Sequence, residues 1–202
     1  KQFYSKAYFL LSLSYKSLNN PKEELKSLHN AVETAINLED RIRSLLRRGS
    51  YYNDYCFRIE AYANYSAAEN LYVVNNLDNI DLLLSIQISM LYLFRNYPEI
   101  FPYDALFNKI KSKVFQCQNK YILAHFYKAI GLYFFRIKDY AQTIEQFNCA
   151  ANYFKEINNE RERMQLNSLF SICKYKLKNP EYLSHKEVYE KHIYSVENKM
   201  VH

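Results

Sequence analysis

The sequence predicts an all-α protein, and its composition and its periodicity predict this independently. Two glycines and four prolines in 202 residues lie far below the usual shares of about 7% and 5%. Turn-rich all-β folds, collagen-like chains and Gly-rich disordered chains therefore lack the residues that they need. Hydrophobic residues make up 49% of the chain and aromatic residues 17%, which is enough apolar material for a folded core. Large hydrophobic side chains also recur at spacings of three and four, which place them on one face of a helix.

The clearest helical pattern is a pair of stripes between residues 124 and 157. Each stripe repeats its members at spacings of one, three or four: Tyr127, Ile130, Gly131 and Phe134 in the first, and Thr143, Phe147 and Ala150 in the second. Residues 138–140 between the stripes are typical of a tight turn, in which the Asp139 carboxylate can accept backbone N–H bonds at the start of the second helix. The segment is therefore predicted to be a helical hairpin.

The order of large and small residues in this hairpin resembles the tetratricopeptide repeat. That repeat carries large residues at positions 4, 7, 11 and 24 and small ones at positions 8, 20 and 27, and all seven are filled acceptably here. The resemblance implies a right-handed α-solenoid of about ten helices, a single domain over 1–202. Sliding the pattern along the chain predicts five hairpin units, approximately 5–38, 42–75, 82–119, 124–157 and 164–198.

Small residues and prolines support this register. Position 8, where the two helices of a unit cross, holds both glycines of the chain and three serines: Ser12, Gly49, Ser89, Gly131 and Ser171. Position 17, the first residue of the second helix, holds three prolines: Pro21, Pro98 and Pro180. Proline suits the first position of a helix because its missing N–H would be unbonded there. Some residues depart from the pattern: Glu24 at a small position, Arg48 at a large one, and Asn167, Lys174, Glu187 and Glu190 in the last unit.

The resemblance also implies a binding surface, because positions 2, 5, 6 and 9 of each unit line a concave groove in the tetratricopeptide family. The candidate binding residues are Lys6, Phe9, Leu13, Arg43, Arg47, Ser50, Gln87, Met90, His125, Lys128 and Leu132. The same positions also give Leu10, Leu46, Leu83, Ile86 and Ala129. This predicted groove is basic and apolar, without a carboxylate. It suits a protein segment or peptide that is acidic or has a free C-terminal carboxylate, with Arg43 and Arg47 as forked donors.

Other function classes find little support in the sequence. The four cysteines, which are Cys56, Cys117, Cys149 and Cys173, stand too far apart for a zinc site or a redox dithiol and are interpreted as reduced, buried thiols of an intracellular protein. His185 and His192 have the wrong spacing for a metal pair. We therefore expect no enzyme activity, metal or cofactor.

Membrane and nucleic-acid partners are not expected either. No segment approaches the run of about 20 apolar residues that spans a bilayer. The formal net charge of +6 is modest, and Lys109, Lys111 and Lys113, at spacing two, cannot share one helical face, so direct nucleic-acid binding is not expected.

Three hypotheses on function remain. The first is a non-enzymatic cytoplasmic module that holds a peptide or a segment of another protein in the groove. The second is the sensing domain of a bacterial transcriptional regulator that responds to a secreted peptide, since tetratricopeptide stacks form such domains. The third is a scaffold subunit of a multiprotein assembly, in which the predicted loop 96–103 would be an interface.

Overall fold

The computed structural model describes residues 2–95, 97 and 100–177. Within these residues the chain forms nine α-helices and no β-strand, which confirms the predicted all-α class. The helices are α1 (Gln2–Ser17), α2 (Pro21–Glu33), α3 (Leu38–Asp54), α4 (Arg58–Val74), α5 (Ile80–Phe94), α6 (Tyr103–Val114), α7 (Lys120–Arg136), α8 (Tyr140–Glu156) and α9 (Glu160–Lys176). None of these nine helices combines the length and the apolar character that crossing a lipid bilayer requires.

Three of the predicted hairpins are present as packed helix pairs. Helices α1 and α2, α3 and α4, and α7 and α8 pack against each other, and each pair is joined by a three-residue connection. The second helix of a hairpin also packs against the next helix, as α2 does on α3 and α8 does on α9. These packed pairs are consistent with a helical repeat, and the unit boundaries 5–38, 42–75 and 124–157 stay predictions.

The chain divides into two compact units between Leu93 and Phe94. The predicted repeat 82–119 crosses this division, because α5 belongs to the first unit and α6 to the second. The hairpin of that repeat, the right-handed solenoid and the single domain therefore stay predictions. The second helix of the repeat 164–198, together with Pro98 and Pro180, lies outside the described residues.

Both glycines lie where the helices of a hairpin cross, as the sequence predicts. A Cβ atom added to Gly49 would lie 2.5 Å from Cε1 of Tyr65, and one added to Gly131 would meet the ring of Phe147. Tyr65 and Phe147 are both buried and both occupy position 24 of their repeat. The same contact between a glycine and a large ring therefore occurs in two hairpins, at the same positions of the repeat.

Five of the nine described helices, α1, α3, α4, α7 and α8, end in the same way, which explains why the chain needs so few glycines. Among the described residues, five adopt a positive φ, each two residues after the end of a helix: Asn19, Cys56, Asn76, Lys138 and Asn158. In each case the next N–H returns to the carbonyl five residues earlier, for example from Asn20 to Tyr15 at 2.9 Å. This is the Schellman arrangement, which usually takes glycine and next best asparagine. Asparagine fills three of the five sites, so both glycines remain for the helix crossings.

Asparagine and aspartate also begin several helices. The side chains of Asn20, Asn37, Asn119, Asp139 and Asn159 each accept a bond from the first turn of the helix that follows. The predicted cap is confirmed, because the Asp139 carboxylate accepts from the N–H of Gln142 at 3.0 Å. Pro21 begins α2, as its predicted position 17 requires.

The cysteines only partly follow the sequence interpretation. None of the four cysteines forms a disulfide, but only Cys173 is buried, while Cys117 and Cys149 are half-buried. Cys56 is exposed, so the prediction of four buried thiols is wrong. The reason is that Cys56 lies in the connection between α3 and α4, where its φ of 61° closes the end of α3.

Candidate binding cleft

A cleft of about 220 Å³ opens between α1 and α3 in the first compact unit. Three of the sequence-predicted binding residues line it, namely Lys6, Phe9 and Arg43. Two repeats of the chain therefore contribute equivalent positions to one site. The complete lining is Ser5, Lys6, Phe9, Leu10, Asp40, Arg43 and Ser44.

Helical spacing brings these side chains to the cleft. On α1 the lining residues form two pairs at i and i+4, Ser5 with Phe9 and Lys6 with Leu10. On α3 Asp40, Arg43 and Ser44 stand at i, i+3 and i+4, which is one helical face. The Ser5 hydroxyl is buried and donates to the Ala31 carbonyl of α2 at 2.8 Å. This bond fixes α1 on its hairpin partner, so that the half-buried ring of Phe9 faces α3 as one apolar wall.

Charges of both signs surround the mouth of the cleft. Lys6 Nζ lies 3.8 Å from a carboxylate oxygen of Asp40, and a guanidinium nitrogen of Arg43 lies 3.6 Å from one of Glu39. Both cations are well exposed, so these ion pairs contribute little to stability and open at low cost. The predicted absence of a carboxylate is wrong for this cleft, because Asp40 lines it. Asp40 precedes the frame of the second repeat and therefore occupies none of the positions 2, 5, 6 and 9.

The sequence signal for Asp40 was nevertheless present. Asp40 stands three residues before Arg43 and four before Ser44, so a helical projection of α3 that starts before the repeat frame would place it on the cleft face. Leu10 occupies a predicted groove position. Ser5 does not, because it stands at position 1 of its repeat, which is not a groove position.

Arg47, the other predicted forked donor, is part of the fold instead. Its Nη2 donates to the Glu24 carboxylate on α2 at 2.7 Å, and the two side chains are only 14% and 4% exposed. Burial raises the pKa of Glu24, while the charge of Arg47 acts in the opposite direction. Glu24 and Arg47 therefore form a buried ion pair between α2 and α3.

The other predicted residues of the first compact unit do not line the cleft. Gln87 is fully buried and donates to Glu69 of α4 at 2.9 Å, and Met90 is also buried. Ser50 is half-buried and lies 3.4 Å from the Tyr65 hydroxyl. Leu13 is exposed on α1, outside the cleft lining.

In the second compact unit, Lys128 takes part in helix packing. Its ammonium group donates to the carboxylate of Glu162 and, at 3.1 Å, to the amide oxygen of Gln165, both on α9. Burial lowers the pKa of Lys128, and the neighbouring Glu162 opposes that effect. Lys128 therefore ties α7 to α9, as Arg47 ties α3 to α2.

His125 and Leu132 also lie within the packing of α7 to α9. The His125 ring centre lies 4.4 Å from that of Tyr121 and 5.2 Å from that of Phe154. Burial is the main cause that lowers the pKa of His125 to about 4, so this imidazole is neutral at pH 7. Leu132 packs against the apolar core of these helices.

The described part of the chain also shows where potential metal ligands and thiols lie. No set of three or more His, Cys, Asp and Glu side chains there is placed to hold a metal ion. Burial raises the pKa of Cys173 to about 12, so its thiol is protonated at neutral pH. His185 and His192 lie outside the described residues.

Comparison of the chain with protein-family models, curated proteins and solved structures found no match.

Proposed function

We propose that this protein is a non-enzymatic, tetratricopeptide-like interaction module that holds a peptide or a segment of another protein in the α1–α3 cleft. One observation carries the proposal: Lys6, Phe9 and Arg43, chosen as binding positions from repeat register, lie together around one opening. Lys6 and Phe9 of α1 lie more than 30 residues before Arg43 of α3 in the chain, so their meeting depends on the packing of successive hairpins.

The size of the cleft favours a single anchoring side chain. Pockets for drug-sized molecules measure about 300 to 1,000 Å³, whereas this cleft measures about 220 Å³. The ring of Phe9 and the side chain of Leu10 supply apolar contact for a bulky partner residue. The proposed partner is therefore an extended segment that inserts one large apolar side chain between α1 and α3.

The rim adds a polar contact to this anchor. Arg43 is 56% exposed and can exchange its contact with Glu39 for a partner carboxylate, which a guanidinium group binds with two parallel hydrogen bonds. Asp40 and Lys6 stand beside it, so the rim is balanced in charge. We propose that one carboxylate of the partner, from a side chain or a free C-terminus, lies next to the apolar anchor.

Selection from a library of random twelve-residue peptides displayed on phage tests this function. We expect the selected peptides to share a large apolar residue next to a carboxylate. Arg43→Asp should weaken binding of a selected peptide about tenfold or more, the cost of a lost charge-assisted hydrogen bond, as measured by fluorescence anisotropy.

The matched control is Arg41→Asp, which makes the same charge change on an exposed residue of α3 outside the cleft lining. It should leave affinity within about twofold, and both variants should keep the helical circular dichroism spectrum. Equal losses in the two variants would contradict a role for the cleft, as would a selection that enriches no common peptide pattern.

A further inference from the structure

Burial divides the residues that line the α1–α3 cleft into an exposed rim and a closed floor. The side chains of Lys6 and Arg43 are 65% and 56% exposed, and Leu10 is 62% exposed. Ser5 on α1 and Ser44 on α3, in contrast, are only 2% and 1% exposed. We call these two residues the serine floor. The cleft therefore has polar residues at its buried end as well as at its mouth.

The two residues of the serine floor differ in the hydrogen bonds that they can still make. The Ser5 hydroxyl gives its single proton to the Ala31 carbonyl at 2.8 Å, so towards a ligand it can only accept. The Ser44 hydroxyl makes no hydrogen bond to any other described residue, so it can both donate and accept. Buried hydroxyl groups are nearly always paired, because an unpaired one costs free energy. Ser44 therefore offers an unused hydrogen-bonding group to whatever fills the cleft.

We infer that the large apolar side chain that enters the cleft is a tyrosine of the partner segment. Its ring packs on Phe9 and Leu10, and its hydroxyl bonds to the serine floor. A phenol hydroxyl donates one hydrogen bond and also accepts, so it can donate to Ser5 and accept from Ser44. The inference rests on the proposed function and names the residue that the cleft selects.

Other large side chains match this cleft less well. Phenylalanine, leucine and methionine supply the apolar contact, but they would cover the Ser44 hydroxyl and leave it unpaired, which weakens binding. The indole N–H of tryptophan donates but does not accept, so the Ser44 proton would find no acceptor on it. Serine and threonine carry a hydroxyl but lack a ring for Phe9 and Leu10. Tyrosine combines the ring with the hydroxyl.

The fold itself contains a tyrosine that is held in this way. Tyr65 of α4 is 1% exposed, and its hydroxyl donates to Oγ of Ser50 on α3 at 3.4 Å. Its ring lies against Gly49 of the same helix α3. Helix α3 thus already holds one buried tyrosine through a serine, and Ser44 supplies the same kind of group on the cleft side.

The rim then determines what stands next to the tyrosine. Arg43 directly precedes Ser44 in α3, so a tyrosine on the serine floor brings the neighbouring backbone of the partner to the Arg43 guanidinium group. The proposed carboxylate therefore belongs to an acidic residue beside the tyrosine or to a C-terminal tyrosine itself, and both bind a guanidinium group well.

Two forms of one peptide separate the hydroxyl from the ring. A peptide from the phage selection is synthesised with tyrosine and with phenylalanine at the anchoring position, and both affinities are measured by fluorescence anisotropy. We expect the selection to enrich tyrosine there, and the tyrosine form to bind about tenfold more tightly, the effect of one or two hydrogen bonds. Equal affinities, or a selection that enriches a different large residue, would overturn the inference and leave peptide binding in the cleft intact.

Serine variants locate the source of this preference. Ser44→Ala should bind the two forms with equal affinity, because the hydroxyl that distinguishes them is gone. Ser27→Ala is the matched control, since Ser27 is also buried, at 5% exposure on α2, but lies outside the cleft lining. It should keep the tenfold preference, and both variants should keep the helical circular dichroism spectrum because alanine favours helix.

The possible failures are distinguishable. A tyrosine preference that persists in Ser44→Ala would overturn the role of the serine floor, while the proposed function would stand. A selection that enriches no common peptide pattern would contradict the proposed function, and this inference would fall with it.

Discussion

Two junctions between hairpins can be compared, α2 with α3 and α8 with α9. They occupy equivalent places in the fold, but one is held by a polar contact and the other by an apolar one. Each joins the second helix of one hairpin to the first helix of the next. At the first, Glu24 and Arg47 form a buried ion pair. At the second, the rings of Phe147 and Phe170 meet edge to face with their centres 5.9 Å apart. Helix geometry alone therefore does not decide whether a junction of this kind is polar or apolar.

The polar junction and the apolar junction differ in how much they contribute to the free energy of unfolding. An apolar junction gains free energy from every buried carbon, at about 25 cal/mol per Å². A buried ion pair must first offset the loss of water around both charges, and the raised pKa of Glu24 records that burial penalty. The buried Nε of Arg47 also has no hydrogen-bond partner among the described residues. We expect the polar junction to favour one register of α2 against α3 more than it adds stability.

The largest effect should come from breaking the polar junction on one side only. Glu24→Ala leaves Arg47 buried without its carboxylate and should lower the free energy of unfolding by about 3 kcal/mol. Urea denaturation at pH 7 measures this change.

A second substitution makes that experiment decisive. Alanine in place of Glu24 provides the small residue that the repeat pattern expects there. We therefore expect Glu24→Ala combined with Arg47→Leu to recover stability to within about 1 kcal/mol of the unaltered protein. If the double variant is as unstable as the single one, the ion pair stabilises the junction outright and the contrast with α8–α9 disappears.

Lowering the pH should change the contributions of His125 and Glu24 to the free energy of unfolding in opposite directions. The pKa of His125 is lowered to about 4 by burial, so between that value and 6.5 the unfolded chain binds a proton that the folded chain does not. The contribution of His125 to stability is therefore complete above pH 6.5 and is lost as the pH falls towards 4, with a loss of about 2 kcal/mol at pH 5. The raised pKa of Glu24 acts oppositely, since its folded form binds the extra proton as the pH falls.

His125→Phe isolates the histidine, because it keeps an aromatic ring between Tyr121 and Phe154 and removes the titration. The charged groups that act on His125 are Glu162, which raises its pKa, and Lys128, which lowers it; both remain in the variant. We expect urea denaturation at pH 8 and pH 5 to show a smaller acid loss for the variant by about 2 kcal/mol. Equal losses in both proteins would show that His125 titrates normally in the fold.

Local patterns were sufficient to predict several packed helix pairs and three of the residues that line the cleft. The spacing of apolar residues placed α7 and α8, and the recurrence of small residues at position 8 placed Gly49 and Gly131 at helix crossings. Lys6, Phe9 and Arg43 followed from the same register. Each of these features depends on residues of one hairpin or on equivalent positions of successive hairpins, which a repeat pattern describes.

The features that were missed depend on pairs that no local pattern relates. Glu24 was a departure at a small position, and Arg47 was assigned to the groove, yet the two residues, 23 apart in the chain, satisfy each other. Arg48, another departure, donates to Asn64 at 2.7 Å. A polar residue at an apolar position therefore predicts a partner across the interface, but the sequence does not say which one.

The smallest predicted change in stability concerns a feature that both compact units share, a glycine where the two helices of a hairpin cross. An alanine at Gly49 or Gly131 gains about 1 kcal/mol of helix propensity but brings a Cβ atom against a buried ring, and overpacking of this kind costs about 1 to 3 kcal/mol. We expect each variant to lose about 1 kcal/mol in urea denaturation. Ser171→Ala is the control, because Ser171 also occupies position 8 and already has a Cβ atom.

The outcome also measures how alike the two crossings are. In Gly131→Ala the ring of Phe147 is the obstacle, so the additional change Phe147→Leu should recover part of the lost stability, whereas in Gly49→Ala the obstacle is Tyr65 and Phe147→Leu should not help. A gain of about 1 kcal/mol in both alanine variants, as at an open helical site, would mean that the rings move aside freely. The crossings would then tolerate any small residue, and the position of the two glycines would carry no information about helix packing.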